Sequence, residues 1–142
     1  MDINIEIQGK EAFEKTLLAL AKALPNDKVE PVMLDGAKVV AAAARAKAPQ
    51  GPSGNLKKGV KAKLLRQISN YPRSAAAAVD RKIAPHAYII EYGTKPRYQK
   101  SGRYTGIGPA QPFFRPAVDT NKGRIQDEVI TKLGNLIDSA MK

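Results

Sequence analysis

Apolar and polar side chains alternate along several short stretches of the chain, which predicts β-strands. Successive side chains of a strand point to opposite faces, so the first stretch buries one face and leaves the other in water. Ile3, Ile5 and Ile7 form the apolar face of the first stretch. The stretch 86–92 is apolar apart from His86 and Glu91 and is expected to be a buried strand. The alanine-rich stretch at 74–83 would also suit a helix, but its place between a turn and Pro85 favours a hairpin. The predicted strands are residues 2–8, 60–68, 74–83 and 86–92.

Apolar residues that recur every three or four positions predict three helices. Pro25 ends the first, and Pro31 suits the first turn of the second, where its missing N–H costs nothing. The tract Ala41 to Ala44 has high helix propensity and lets another backbone approach closely. Pro116 begins the third, which carries an apolar stripe with Ile125 and Val129. The predicted helices are residues 10–24, residues 30–48 and the chain from Pro116 onward.

The predicted order of elements is β-α-α-β-β-β-α, which is typical of an α+β fold. We expect an antiparallel sheet of about four strands packed against two N-terminal helices and a long C-terminal helix. Residues 49–59 are predicted to form a loop and residues 70–73 a turn, because both are rich in Gly, Pro, Ser and Asn. A chain of 142 residues supports one domain, spanning residues 1–142.

The charge balance is strongly basic, with 24 Lys and Arg against 13 Asp and Glu and a net charge of +11. Such a balance favours polyanions or acidic protein surfaces as partners, although solvated lysines alone would also account for it. The absence of cysteine excludes disulfides and thiolate metal sites. The N-terminus does not resemble a signal peptide, and no apolar run approaches the ~20 residues that span a bilayer. We therefore expect a cytoplasmic protein that makes no membrane contact.

Titratable residues do not converge in the sequence as a catalytic site requires. His86 is the only histidine, and zinc would need three or four His, Cys or carboxylate ligands. Asp127 and Glu128 are adjacent on a predicted helix, so they diverge and do not form a two-metal site. No glycine-rich phosphate loop is present. We interpret the chain as non-enzymatic, with no catalytic or metal residues and no cofactor.

A long loop is predicted at residues 94–111, between the strand 86–92 and the terminal helix. It contains almost no aliphatic side chains, so it cannot bury a core of its own. Loops of this length without regular structure are usually functional or disordered. We expect it to be mobile in an isolated subunit and to become ordered in an assembly.

Two features of the strand 86–92 leave alternatives open. Glu91 would either pair with an Arg or Lys of a neighbouring subunit or place a charge on an edge strand that blocks aggregation. Tyr88 and Tyr92 would lie together on one face, either in the core or at an interface.

Basic side chains form two clusters in the sequence. Cations interleaved with tyrosines occur in proteins that bind single-stranded nucleic acid and equally at protein interfaces. No motif for reading base sequence accompanies them. The first cluster is Lys57, Lys58, Lys61, Lys63 and Arg66, and the second is Lys95, Arg97, Lys100 and Arg103 with Tyr98 and Tyr104.

Two motifs carry a resemblance to a known family. One is Glu-Tyr-Gly-Thr at residues 91–94, then a variable loop, then Pro-Phe-Phe-Arg-Pro-Ala at residues 112–117 before a terminal helix. The other is Ala-Pro at residues 48–49, followed by a turn and Gly-Asn-Leu-Lys at residues 54–57. The chain resembles the neck, or tail-completion, proteins of long-tailed bacteriophages, the family that includes the minor tail protein Z of phage lambda.

The resemblance implies a structural virion protein of the head–tail junction, which forms an oligomeric ring that completes the tail and joins it to the DNA-filled head. The implied partners are further copies of the chain, a head-completion or connector protein, a tail terminator or tube protein, and genome DNA in the channel, bound without sequence preference. The implied location is the virion neck, after assembly in the host cytoplasm. The alternative from a different class is a non-specific nucleic-acid-binding protein.

Site residues follow from this interpretation and remain expectations. The expected assembly contacts are Glu91, Tyr92, Lys95, Arg97, Tyr98, Arg103, Tyr104, Phe113, Phe114 and Arg115. The expected DNA-facing basic patch is Lys57, Lys58, Lys61 and Lys63.

Overall fold

The computed structural model describes residues 15, 16, 18, 19, 22, 24–66 and 73–142. The predicted strand 2–8, the end of the predicted strand 60–68 and most of the turn 70–73 lie outside the described residues. The described residues between 15 and 22 are helical, within the helix predicted at 10–24.

The α+β fold class is confirmed, but the single sheet of about four strands is not found. The described residues form two separate antiparallel sheets of two strands each. In chain order, the elements are α1 Asn26–Lys47, α2 Asn55–Gly59, β1 Val60–Leu64, β2 Ala75–Val79, α3 Ala87–Tyr92, β3 Arg97–Tyr98, β4 Tyr104–Gly106 and α4 Phe114–Met141.

Helix α1 begins four residues earlier than predicted, at Asn26. Pro31 therefore lies inside the helix and not in its first turn, so one backbone carbonyl of α1 loses its helical donor. The helix ends as predicted, because Ala48 turns into an extended conformation before Pro49. The last helical bond runs from the Ala48 N–H to the Ala44 carbonyl, at 2.9 Å.

The core lies along an alanine stripe of α1. Ala37, Ala41, Ala44 and Ala48 are all buried, and they follow the helical spacing that places residues on one face. Such small side chains let the hairpin of β1 and β2 approach the helix closely. The core cluster contains Ala41, Ala44, Ala48, Leu56, Val60, Ala84, Ala87, Phe113 and Ala117.

The long C-terminal helix packs mainly against α1, whereas the sequence predicted that it would pack against the sheet. A Cβ atom at Gly36 would lie 3.2 Å from Ile125 Cγ2 and 3.3 Å from Val129 Cγ2, so the two helices meet closely at this glycine. Lys132 Nζ also reaches Asp35 Oδ2, at 3.2 Å. The predicted stripe of α4 therefore faces α1 at Ile125 and Val129.

The hairpin predicted from the alternation at 60–68 and from the position of 74–83 between a turn and Pro85 is confirmed, although its second strand ends at Val79. Strands β1 and β2 pair antiparallel, with Val60 opposite Val79 and Leu64 opposite Ala75. The preceding loop prediction is wrong for residues 55–59, which form the short helix α2. Leu56 is only 3% exposed. The buried Leu56 side chain holds residues 55–59 against the core, and the backbone there forms a short helix.

The strand predicted at residues 86–92 is wrong, because these residues form the short helix α3. Ala87 and Glu91 are its buried residues, and a helix places residues four apart on the same side. Helical bonds run from the Ile90 N–H to the His86 carbonyl and from the Gly93 N–H to the Ile89 carbonyl. A short apolar run is compatible with either period, so periodicity alone does not separate strand from helix here.

Candidate assembly surface

Residues 94–111, here called the arm, project from the core between α3 and α4. The prediction of a loop without structure of its own is wrong, since β3 and β4 form a small hairpin within it. Tyr98 pairs with Tyr104, and the connecting turn is closed by a bond from the Gly102 N–H to the Gln99 carbonyl, at 2.9 Å. Gly102 has a φ of +81°, a conformation that side chains rarely adopt.

The arm is anchored at its base by bonds between its two ends. The Thr94 N–H donates to the Gly108 carbonyl at 2.9 Å, and the Gly108 N–H donates to Thr94 Oγ1 at 2.7 Å. Gly93 has a φ of +73°, and a Cβ there would lie 2.8 Å from the Gly108 oxygen. The Gln111 N–H also donates to the Ile90 carbonyl, at 2.7 Å. The base therefore requires glycine at position 93 and has a defined geometry.

The outer part of the arm exposes cations together with an aromatic pair. The rings of Tyr98 and Tyr104 lie 5.4 Å apart between centroids and are both more than half exposed. The structure places the predicted contact residues of the arm at the surface: Lys95, Arg97, Tyr98, Arg103 and Tyr104. Lys100 of the same basic cluster is also exposed. The predicted ordering of the arm on assembly is not tested by a single subunit and stays a prediction.

Glu91 occupies the base of the arm and is buried, so neither expectation for it is met. Its Oε2 accepts bonds from the backbone N–H groups of Phe113 and Phe114, at 2.8 and 2.9 Å. Its Oε1 accepts a bond from the N–H of Arg115, at 2.9 Å. These donors belong to the first turn of α4, where N–H groups lack helical partners. Glu91 therefore caps α4 within its own chain and is not available to a neighbouring subunit.

The electrostatic state of Glu91 follows from this geometry. Burial by itself raises the pKa of a carboxyl group. The three backbone N–H bonds from residues 113–115 and the nearby Arg115 charge outweigh burial and hold the pKa of Glu91 below its ordinary value. The group is thus an ionised cap, complementary to the positive end of the helix dipole.

Tyr88 and Tyr92 lie on the outside of α3. They are 70% and 61% exposed, which contradicts core packing as the explanation for them. Their rings contact each other with centroids 4.7 Å apart, as residues four apart on a helix can. Beside them, Phe114 is partly buried and Arg115 is exposed. These residues form a second surface that is separate from the outer arm.

Phe113 is the other expected contact that lies inside the subunit. Only 1% of it is exposed, and its ring meets that of Phe114 edge to face, with centroids 6.3 Å apart. Its burial corrects the assembly role expected from the sequence. The sequence gives no signal for this burial. A phenylalanine just before a helix could equally pack in the core or contact a partner, and its bond to Glu91, 22 residues earlier, is visible only in the fold.

The basic patch differs in part from the predicted one. Lys61 and Lys63 are exposed on the outer side of β1, whereas Lys57 donates to Gln50 Oε1 at 3.1 Å. A depression of about 450 Å³ brings Lys61 and Lys63 together with Arg81 and Lys82. Sequence reasoning missed the latter two, because they follow β2 and join the patch only through strand pairing. One carboxylate, Asp80, lies among them, 3.5 Å from Lys61.

Sequence reasoning also missed the ion pair between Glu30 and Arg73. Arg73 Nη2 lies 2.7 Å from Glu30 Oε2, and both the Arg73 Nε and its backbone N–H donate to Oε1. The Arg73 hydrogen bonds lower the pKa of Glu30. Glu30 and Arg73 are 43 residues apart in the sequence and meet only in the folded chain, where their ion pair links α1 to the residues just before β2.

Two further findings concern metal binding and membranes. Across the described residues, no three His, Cys, Asp or Glu side chains lie together as metal ligands would. Within the same part of the chain, no helix is long and apolar enough to cross a membrane. His86 is exposed, just before the first turn of α3.

Comparisons with known proteins return nothing: no family model matches the sequence, no curated protein matches it, and no solved structure matches its fold.

Proposed function

We propose that the chain is a structural subunit of the head–tail junction of a long-tailed phage, which forms an oligomeric ring that completes the tail and joins it to the DNA-filled head. The observation that carries this proposal is the packing of both resemblance motifs into one core. Ala48 and Leu56 of the first motif share a buried cluster with Phe113 and Ala117 of the second. Glu91 of the second motif caps the helix that the same motif begins. Residues that are far apart in the sequence thus form one structural unit.

The exposed arm supports a role in protein contacts. Tyrosine and arginine are enriched among residues that dominate interface energies. The arm presents both types on a hairpin whose base is held by Gly93 and Thr94. A ring would use such an arm in a heterologous interface, in which one subunit's arm meets a different surface of the next.

The basic patch supports the passage of DNA without sequence recognition. Lys61, Lys63, Arg81 and Lys82 place several cations around a single carboxylate on one face of the hairpin. In the channel of a ring, such a face would neutralise phosphates, and the net charge of +11 acts in the same direction.

Shortening the arm tests the proposal. Replacing residues 96–106 with a short Gly-Ser linker keeps the anchors Thr94 and Gly108, so we expect the melting temperature to change little. We expect the shortened protein to lose assembly, measured by light scattering, and to lose head–tail joining in a complementation assay. The matched control reverses two exposed cations of α4, Lys122→Glu with Arg124→Glu. Full complementation by the shortened protein would contradict the proposal.

The alternative, a nucleic-acid-binding protein that acts alone, is favoured by the same basic patch. The two functions differ in what happens without DNA: a ring subunit assembles, whereas the alternative stays monomeric and binds DNA as a monomer. We expect weak duplex binding that is indifferent to sequence and falls steeply with salt. Tight, sequence-selective binding at physiological salt would contradict the structural role.

A further inference from the structure

The two outer edges of the β1–β2 hairpin differ in their hydrogen-bonding partners. The Leu65 N–H bonds to the Ser74 carbonyl, and the Asp80 N–H bonds to the Gly59 carbonyl, both at 2.8 Å. These bonds identify the hydrogen-bonded pairs of the antiparallel ladder, which recur at every second residue. The backbone groups of the intervening residues therefore point outward, away from the partner strand. On β2 these residues are Ala75, Ala77 and Val79.

The outer edge of β1 is partly covered. Arg45 of α1 donates from Nε and Nη2 to the Val60 carbonyl, at 2.9 and 2.7 Å. This is one of the outward-pointing carbonyls that the register predicts. The outer edge of β1 therefore has a hydrogen-bond donor from its own chain.

The outer edge of β2 has no such partner among residues 24–66 and 73–142. In the part of the chain that the structure describes, no hydrogen bond reaches the outward backbone groups of Ala75, Ala77 or Val79. A free edge presents a row of donors and acceptors at strand spacing, which is a template for another strand. This edge carries only alanines and one valine, without the Lys or Pro that commonly protects an edge.

A groove lies beside this free edge. It encloses about 870 Å³, within the range of about 300–1,000 Å³ for ligand sites. Ala77 and Val79 are among its lining residues, and its aromatic and larger aliphatic lining includes Tyr88, Tyr92, Phe114 and Val118. Its surface is largely apolar, and the exposed tyrosine pair of α3 stands at its side. A free strand edge and an apolar groove thus occur at one place.

We propose that β2 binds an extended segment of a partner protein along this edge, and that the segment is apolar at alternate positions and carries acidic residues. In such strand addition, main-chain bonds supply affinity, and alternate side chains enter the adjoining groove. This site is separate from the outer arm and adjoins the basic patch, with which it shares Arg81. Its existence does not depend on the head–tail role.

The charges around the groove favour an acidic segment. Arg81 and Arg115 are exposed in its lining, against one exposed carboxylate, Asp119. The other carboxylate, Glu91, offsets the charge of Arg115. The excess of positive charge beside the edge comes from the adjoining basic patch, where Lys61, Lys63 and Lys82 lie with Arg81. Complementary charge steers binding and selects partners.

The same charges disfavour a second copy of this chain as the occupant. The exposed strands β3 and β4 belong to the cationic arm, so a neighbour's arm would bring Arg97 and Arg103 toward Arg81 and Arg115. Like charges placed together at an interface suppress that pairing. We therefore assign the edge to an acidic strand from a different protein. Protection of the β2 edge in dilute protein without any peptide would instead assign it to residues 2–8 of this chain, where Ile3, Ile5 and Ile7 alternate with polar residues that include Asp2 and Glu6.

The test uses a seven-residue peptide that alternates valine with glutamate and threonine. Backbone amide NMR of the whole chain is recorded during titration, and affinity is measured by calorimetry. We expect the largest shifts and new hydrogen-exchange protection at Ala75, Ala77 and Val79. A peptide with N-methylated amides on its hydrogen-bonding edge keeps the side chains but loses the main-chain donors, and we expect at least tenfold weaker binding.

Two chain variants separate the edge from the charges. Ala77→Pro removes one outward donor without touching the β1 ladder, and we expect at least tenfold weaker binding with the fold checked by its melting temperature. Arg81→Glu with Arg115→Glu should abolish preference for the glutamate peptide over its lysine counterpart. Lys122→Glu with Arg124→Glu makes the same change in charge away from the groove and should retain it.

Several outcomes overturn the proposal. Equal binding of the N-methylated peptide would mean that the groove binds side chains without strand addition. Shifts confined to the basic patch would mean simple charge attraction. Absence of binding to the glutamate peptide at millimolar concentration would reject the acidic occupant. Concentration-dependent self-association that protects β2 without any peptide would assign the edge to a second copy.

Discussion

The base of the arm, which includes the flanking residues Glu91 and Phe113, and the outer part of the arm differ in burial although they belong to one stretch of sequence. At the base, a buried carboxylate meets three backbone donors, and Phe113 is almost fully enclosed. In the outer part, between Arg97 and Gly106, tyrosines and cations are exposed, and two short strands pair with each other. The base faces the core, whereas the outer arm faces solvent.

This difference indicates which part of the stretch stabilises the fold and which part is exposed to solvent. Buried polar groups stabilise only when their partners are present, so removing one partner costs the desolvation of the others. Exposed side chains with no buried neighbours contribute little to the free energy of unfolding. We therefore expect substitutions at the base to unfold the protein and substitutions in the outer arm to affect assembly alone.

The largest expected effect is that of Glu91→Ala. It leaves three N–H donors of α4 without their acceptor, and we expect a loss of about 3–5 kcal/mol in the free energy of unfolding, measured by urea denaturation. Glu91→Gln retains one carbonyl acceptor and should lose less. Glu128→Ala removes an exposed helix pair with Lys132 and should cost at most about 0.5 kcal/mol. Equal losses for all three would show that the cap contributes no special stability.

The next effect tests whether the core tolerates extra volume. Ala44 is 0% exposed, so Ala44→Leu should overpack the contact between α1 and the hairpin and cost about 1–3 kcal/mol. Ala42→Leu makes the same change two residues away, on the exposed side of α1, and serves as the control. Thermal melting of both variants gives the comparison. Identical melting would mean that the alanine stripe is not closely packed.

A smaller effect appears on acidification. The pKa of Glu91 is lower in the folded state than its ordinary value, so the unfolded state binds more protons as the pH falls. The stability from this group is present above about pH 4.5, the ordinary pKa of Glu, and is lost as the pH falls through the folded-state pKa. We expect wild type and Glu91→Gln to converge in stability at low pH, in urea titrations. If the difference in stability between wild type and Glu91→Gln did not change with pH, the ionisation of Glu91 would not be its cause.

The smallest expected effect on stability is in the outer arm. Tyr98→Ala with Tyr104→Ala removes a ring pair at the surface and should change the free energy of unfolding by at most about 1 kcal/mol. The same variant should lose assembly, measured by light scattering. If it unfolds the protein as Glu91→Ala does, the contrast between base and outer arm is wrong.

The sequence by itself determined the elements whose apolar pattern is long or paired. Helix α4, with its stripe at Ile125 and Val129, is recognisable because a period of 3.6 over many turns excludes a strand. The β1–β2 hairpin followed from alternation and from the turn signals around it, and α1 from its alanine tract and from Pro49. The exposure of the arm followed from its lack of aliphatic side chains.

Only the tertiary structure decided α3, the role of Glu91 and the two edges of the hairpin. Six residues of alternating character fit both periods, and the burial of Ala87 with Glu91 on one side selects the helix. A carboxylate finds its partners through the path of the chain, so Glu91 reaches residues 113–115 and Arg73 reaches Glu30 in ways that spacing cannot reveal. The edges of the hairpin are likewise defined by their partners: Arg45 donates to the outer edge of β1, and no described residue forms a hydrogen bond with the outward backbone groups of β2.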